Sequence, residues 1–181
     1  FEFDLNKEFH KFDSPLEEDN SSLSVSVNCS ATWTVQPSDD WIMVSVNGEN
    51  DGDGSFSIKP KSNYNTTTRT GKVLVTSTMN GLTKEIEIEQ AAYHFDASST
   101  NLEFEACEAK VQTLPIYCSG KWKIAKTDAW ITVEASNTKG DGNISITVED
   151  NGTEQSRSGI ITVTSTDVPS LVKTIKVTQN G

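Results

Sequence analysis

The chain has 181 residues, 34% hydrophobic and 23% charged, with 26 acidic against 15 basic side chains and a formal net charge of −11. That length holds one or two domains. Four Trp speak against disorder, and the acidic balance disfavours nucleic acid, whose phosphates are bound through Lys and Arg that release counterions. No run approaches the roughly 18 apolar residues of a membrane helix, so no membrane span is expected.

In chain order, the opening FEFDLNKEF lacks the basic and apolar regions of a signal peptide, so any such peptide has been removed or left off. Leu23, Val25 and Val27 then alternate with serines, and Trp33 alternates with Val35. Trp41 begins a further apolar strand, followed by Phe56/Ile58, Val73/Val75 and Ile86/Ile88. The second half runs through Leu114/Ile116, Trp122/Ile124, Ile144/Ile146/Val148, Ile161/Val163 and Ile175/Val177. Strict alternation describes strands buried on one face, and the Thr and Ser between them suit an exposed pleated surface. No window shows a 3.6-residue period, which predicts little or no helix. Asn47-Gly48, Asp51-Gly52, Asn80-Gly81, Gly140-Asp141-Gly142 and Asn151-Gly152 supply the turns. Short strands at this spacing predict antiparallel β-sandwiches of immunoglobulin-like type, without the immunoglobulin disulfide pattern.

The two halves repeat. Cys29, Trp33, Trp41, Ile42 and Val44 recur at a constant offset of 89 as Cys118, Trp122, Trp130, Ile131 and Val133. Past a glycine-bearing loop the offset is 88, matching Asn63/Asn151, Arg69/Arg157, Gly71/Gly159 and Val75/Val163. It returns to 89 for Lys84/Lys173, Ile86/Ile175 and Gln90/Gln179. Indels fall in loops while the alternation stays in register, which predicts two homologous domains at 1–92 and 93–181. Neither a Gly/Ser-rich nor a Pro-rich linker separates them. The first half carries a net −8 and the second −3, so the acidity reads as surface solvation rather than a shared functional field. The segment before Leu23 matches least well, and Ser14-Pro15-Leu16-Glu17-Glu18 reads as an insertion.

One pattern runs through both halves: WTV (33–35), WIMV (41–44), DGDG (51–54), Asn63, RTGKVLV (69–75) and EIEIEQ (85–90), then WKI (122–124), WITV (130–133), GDG (140–142), Asn151, RSGIITV (157–163) and TIKVTQ (174–179). It resembles the BACON domain of Bacteroidetes proteins. The resemblance implies an immunoglobulin-like sandwich in a secreted or surface-attached protein, lipoprotein-anchored through a removed N-terminal segment, often beside glycoside hydrolases or proteases. It implies either a spacer holding other domains of a larger surface protein or a carbohydrate-binding module for glycans or mucin-type polysaccharide. It supplies no catalytic residues.

Among candidate ligand contacts, Trp33 and Trp122 share a face with Val35 and Ile124 and read as core. Trp41 and Trp130 stand at strand starts beside Asp39-Asp40 and Asp128, where an indole face is available to a sugar or packs at the rim. Tyr64 and Tyr117 are further aromatic candidates. Arg69 and Arg157 stand behind Asn63 and Asn151, placed to bond sugar hydroxyls or to brace the preceding loop through its carbonyls. The candidate ligand-binding set is therefore Trp41, Trp130, Tyr64, Arg69 and Arg157. Asn50-Asp51-Gly52-Asp53-Gly54 looks like half a calcium loop, but its twelfth position is Ser62 where a bidentate Glu is needed, so a turn is the reading. His10 and His94 stand in no recognisable catalytic setting. No enzyme activity, cofactor or metal is expected. Three cysteines leave an odd thiol, and buried free thiols are expected.

Overall fold

The alternation sets the strands. In the computed structural model, which describes residues 1–107 and 111–181, Leu23, Val25, Val27 and Cys29 are buried while the residues between them are exposed. The chain divides into Phe1–Tyr93 and His94–Gly181. The first unit contains β1 (Phe3–Leu5), β2 (Phe9–Phe12), β3 (Leu23–Cys29), β4 (Thr32–Pro37) and β5 (Ile42–Val44). It continues through β6 (Glu49–Asp51), β7 (Gly54–Pro60), β8 (Arg69–Ser77) and β9 (Thr83–Gln90). The second unit contains β10 (Phe95–Ala97), β11 (Asn101–Phe104), β12 (Gln112–Cys118) and β13 (Trp122–Lys126). It ends with β14 (Ile131–Ala135), β15 (Gly142–Val148), β16 (Arg157–Ser165) and β17 (Val172–Gln179).

Each unit is a sandwich of two sheets. The first has orders β1-β3-β7-β5 and β2-β9-β8-β4-β6, the second β10-β12-β15-β14 and β11-β17-β16-β13. In the first unit Val25, Phe56 and Ile58 of one sheet share a core with Trp33, Val73, Val75, Ile86 and Ile88 of the other. Pairing is antiparallel except for β2 with β9 and β11 with β17, which are parallel. The exception arises because the first strand of each unit breaks and changes sheets. Its first piece pairs antiparallel to β3 or β12, and its second piece lies along the last strand and covers that edge.

That broken strand extends the repeat beyond what the sequence alignment reached. At an offset of 92, Phe3 and Phe95 face Cys29 and Cys118, while Phe12 and Phe104 face Gln90 and Gln179. The insertion forms the only helical turn among the described residues, a 3₁₀ turn at Glu17–Asp19. Cys29 and Cys118 are buried, as expected, whereas Cys107 is exposed. Cys107 lies outside the strands, so no alternating face carries it inward.

One ion pair in each unit ties the first strand of one sheet to the last strand of the other: Lys84–Asp4 at 2.6 Å and Lys173–Asp96 at 2.8 Å. The lysine hydrogen bond, with the backbone N–H of the next residue, holds each carboxyl below its ordinary value. A depressed folded pKa means that the stabilisation is present above the ordinary aspartate range and lost as pH falls through the folded value. Carbon-detected NMR titration is expected to place both midpoints below that of an exposed aspartate. Lys84→Met should raise the Asp4 midpoint, short of the ordinary value because the Leu5 N–H bond remains, while leaving Asp96 unchanged.

Candidate functional site

The first tryptophan of each repeat is structural. Trp33 and Trp122 are 1% and 2% exposed, and each indole N–H donates to a glycine carbonyl 2.9 Å away, Gly52 and Gly140. Both glycines have positive φ, 65° and 70°, a conformation an L side chain resists. The next aspartate closes the same loop, because Asp53 and Asp141 accept the backbone N–H of Cys29 and Cys118 at 3.0 and 2.9 Å. The acidic glycine loop is thus a tryptophan cap, and no cluster of three His, Cys, Asp or Glu suited to a metal occurs among the described residues.

Four of the five candidate ligand contacts come together as two copies of one corner. The Arg69 guanidinium carbon lies 4.3 Å from the Trp41 ring centroid, and that of Arg157 lies 4.4 Å from Trp130. Such a stack contributes about 0.5–2 kcal/mol, more as it is desolvated. Arg69 donates through Nε to Gln90 Oε1 at 2.9 Å and through its terminal nitrogen to the Lys61 carbonyl at 2.5 Å. Arg157 repeats this with Gln179 Oε1 at 2.9 Å and the Glu149 carbonyl at 2.5 Å. Each arginine therefore braces the preceding loop. Burial pulls the Arg69 guanidinium down from its ordinary value, opposed by the Asp39 carboxylate.

The glutamines are fully buried and pass the bonding onward. Gln90 Nε2 donates to the Pro15 carbonyl at 3.0 Å, and Gln179 Nε2 to those of Glu105 and Ala106 at 3.2 Å. Those carbonyls follow the broken first strand, so the apparent insertion begins with residues that do the same work in both units. Asn63 and Asn151 complete the corner. Their backbone N–H groups donate to the Pro15 and Ala106 carbonyls at 2.6 and 2.9 Å. Their side-chain amides donate to Thr67 and Ala91, and to Gln155 and Asn180.

The glycine two residues after each arginine makes room for the corner. A Cβ on Gly71 would lie 2.8 Å from Asp39 Oδ2 and Ile42 Cδ1 and 3.0 Å from Trp41 Cζ2. One on Gly159 would lie 2.5 Å from Asp128 Oδ2 and 2.6 Å from Ile131 Cδ1. Tyr64, the fifth candidate, is 49% exposed and stacks at a tilt on the buried Tyr93 with centroids 6.1 Å apart. Tyr117 is exposed on the outer face of β12.

One constellation escaped the sequence reading. Ser119 Oγ lies 2.8 Å from His94 Nδ1, and His94 Nε2 lies 3.5 Å from Asp141 Oδ1. The first unit explains it. There Glu2 and Ser30 exchange the same backbone bonds, Glu2 N–H to Ser30 Oγ and Ser30 N–H to the Glu2 carbonyl, both 3.0 Å. In the second unit His94 N–H donates to Ser119 Oγ and Ser119 N–H to the His94 carbonyl, again at 3.0 Å. The pair is a clasp on the first strand, and the imidazole is an addition to it.

The outer sheet faces differ between copies. In the first unit a hollow of about 330 Å³ is crossed by the Lys72–Glu85 and Lys84–Asp4 ion pairs. In the second a hollow of about 530 Å³ is lined by Thr100, Asn101, Asp128, Ser158, Ile160 and Lys176, among others.

Two copies of a β-sandwich, each closed by a tryptophan cap and an arginine–glutamine corner, define a tandem of small all-β modules. The model for the family described as "BACON: Putative binding domain, N-terminal" matches residues 30–91 and 120–180, and the chain belongs to this family. It is similar to the xyloglucan-specific endo-beta-1,4-glucanase BoGH5A of Bacteroides ovatus, 33% identical over 78 residues. That match spans 42% of this chain and 15% of the enzyme. A solved Bacteroides ovatus GH5 xyloglucanase in complex with a XXXG heptasaccharide aligns at 30% identity over 49% of this chain and 19% of that one, with a TM-score of 0.41. Domains 4 and 5 of the S-layer protein SbsC align over 100% of this chain and 98% of that one, at 15% identity and a TM-score of 0.53, a likeness of fold alone.

Gln90→Leu and Gln179→Leu keep side-chain volume but strand a guanidinium and the carbonyls below it. Each is expected to cost about 1–3 kcal/mol, read as a lower urea midpoint. Tyr64→Ala should stay within about 0.5 kcal/mol, as for exposed positions generally.

Proposed function

We propose that the tandem is a non-catalytic spacer or scaffold in a secreted or surface-attached protein, lipoprotein-anchored through a preceding segment and carrying its neighbouring domains clear of the surface. One observation carries this reading. The aromatic and polar side chains that both copies keep, Trp33/Trp122, Trp41/Trp130, Arg69/Arg157 and Gln90/Gln179, all bond or stack within their own unit. What the duplication retains is therefore what each sandwich needs to stand. The match to a short part of a Bacteroides xyloglucanase supports a setting beside a glycoside hydrolase.

A second reading, glycan binding, is favoured by the hollow of the second unit. Hydroxyls, an amide and the exposed Ile160 line it beside Asp128 and Lys176, where the first unit has the Lys72–Glu85 and Lys84–Asp4 pairs. Tryptophan fluorescence titration with xyloglucan oligosaccharides and with a mucin-type polysaccharide separates the two. The spacer predicts no saturable quenching up to millimolar sugar. It also predicts that Trp41→Ala and Trp130→Ala act on stability alone, by about 2–4 kcal/mol as for large-to-small changes in packed sites. Saturable quenching that Ile160→Asp abolishes, with the fold intact, would overturn the spacer and establish the second reading.

A further inference from the structure

The two units close the same sheet edge differently. In the first, β6 lies along β4 with Thr32↔Asp51, Trp33↔Asn50 and Thr34↔Glu49 paired, and β4 ends in Pro37, which has no N–H to offer. In the second, the corresponding edge of β13 meets only a single bridge, Lys121↔Lys139, and the bond from Trp122 N–H to the Thr138 carbonyl at 3.0 Å. Pro37 is replaced there by Lys126. Beyond Trp122 no strand lies on this edge among the described residues.

Bonding on the paired side fixes which groups face out. Thr166 N–H donates to the Lys121 carbonyl at 2.7 Å and Thr127 N–H to the Ile160 carbonyl at 3.0 Å, both towards β16. Antiparallel alternation then turns the N–H and C=O of Ile124 and Lys126 outward. The side chains alternate as well. Lys123 and Ala125 are exposed on the outer face, while Ile124 is half-buried on the inner face, as is Val133 on the edge strand β14.

Charge selects the partner. Lys11, Lys72, Lys84 and Lys173 each pair with a carboxylate. The ammonium groups of Lys121 and Lys123 have no such partner among the described residues, and Lys126 Nζ donates to the Ile131 carbonyl. Asp167 accepts the backbone N–H of Lys121 at 2.7 Å, which leaves Lys123 as the less compensated cation. Lysines on an edge repel a like edge and so oppose self-pairing. They attract a strand carrying carboxylates at the directly opposite positions.

We propose that the β13 edge of the second unit docks an extended segment of a partner protein in which acidic residues alternate with apolar ones. The segment adds a strand to the sheet beyond Trp122: one acid faces Lys123, a second at the end of the added ladder lies towards Lys121, and its apolar side chains cover Ile124. Backbone bonds to Ile124 and Lys126 give affinity, and the alternation gives selectivity.

The test uses the whole chain and a synthetic probe, an acetylated and amidated heptapeptide of alternating Glu and Val, followed by amide NMR. Saturable shifts centred on Trp122–Lys126 and weakening with added salt are expected. Lys121→Glu with Lys123→Glu should reduce affinity about tenfold or more, as for opposed charges across an interface. Lys126→Pro copies the first unit's Pro37, so the fold accepts it, and it should also cost about tenfold by removing a ladder donor. The proposal is overturned by absence of saturable binding at low salt, or by equal binding of a peptide with its four Glu in one block. It is overturned equally if Lys126→Pro binds as well as the parent chain, or if polyglutamate or an acidic polysaccharide matches the probe, since the edge would then be a general polyanion patch.

Discussion

A guanidinium lying on a glutamine organises each sandwich. Arg69 stands at the start of β8 and Gln90 at the end of β9, directly opposite in the hairpin register. The glutamine oxygen takes the arginine, and its amide nitrogen reaches the carbonyls that follow the broken first strand. One buried side chain thus links the last hairpin, the loop before it and the strand that changes sheets. A buried amide left half-bonded costs more than its bonds are worth when made, so each partner depends on the others. Trp41 and Trp130 close the corner above the cation, Gly71 lets Trp41, Asp39 and Ile42 approach, and Gly159 does the same for Asp128 and Ile131.

This corner gives the family pattern a physical meaning. The Arg-x-Gly start, the Asn before it and the closing Gln are spaced far apart along the chain but meet at one end of the sandwich. The other end is held by the tryptophan cap, where an indole N–H meets the carbonyl of a glycine with positive φ. Between them the core is apolar alternation, which tolerates many sequences of similar volume. Two polar closures, one at each end, and a strict inward face are what a module of about 90 residues needs to select one register.

Much of this was legible in the residues, and the limits have physical causes. Alternation located nearly every core strand because one face of each is buried. The tandem tryptophans fixed the repeat because both pairs hold structural positions. The broken first strand escaped because Phe3-Asp4 and Phe95-Asp96 match at a third offset, set apart from the rest of the repeat by the insertion in the first copy. The partner of Arg69 was within reach: a hairpin from Arg69 to Gln90 in regular register sets the two opposite. The clasp between His94 and Ser119 was not, because it requires knowing that β10 lies beside β12, a pairing of residues 25 apart with no motif to mark it.

Duplication separates what the fold requires from what each surface is free to become. Corner, cap and clasp recur at equivalent positions with the same kinds of bond. The outer faces do not: the Lys72–Glu85 pair of the first unit is replaced by Ile160 and Thr174 in the second. The sheet edge diverges in the same way, closed by β6 and Pro37 in one copy and left to a lysine strand in the other. An edge strand is a liability unless paired, covered or charged, and the first unit uses pairing and proline. The second, beyond Trp122, uses charge, and charge differs from the other devices in being selective. It turns away strands of its own kind while leaving the backbone groups of Ile124 and Lys126 available to an oppositely charged one.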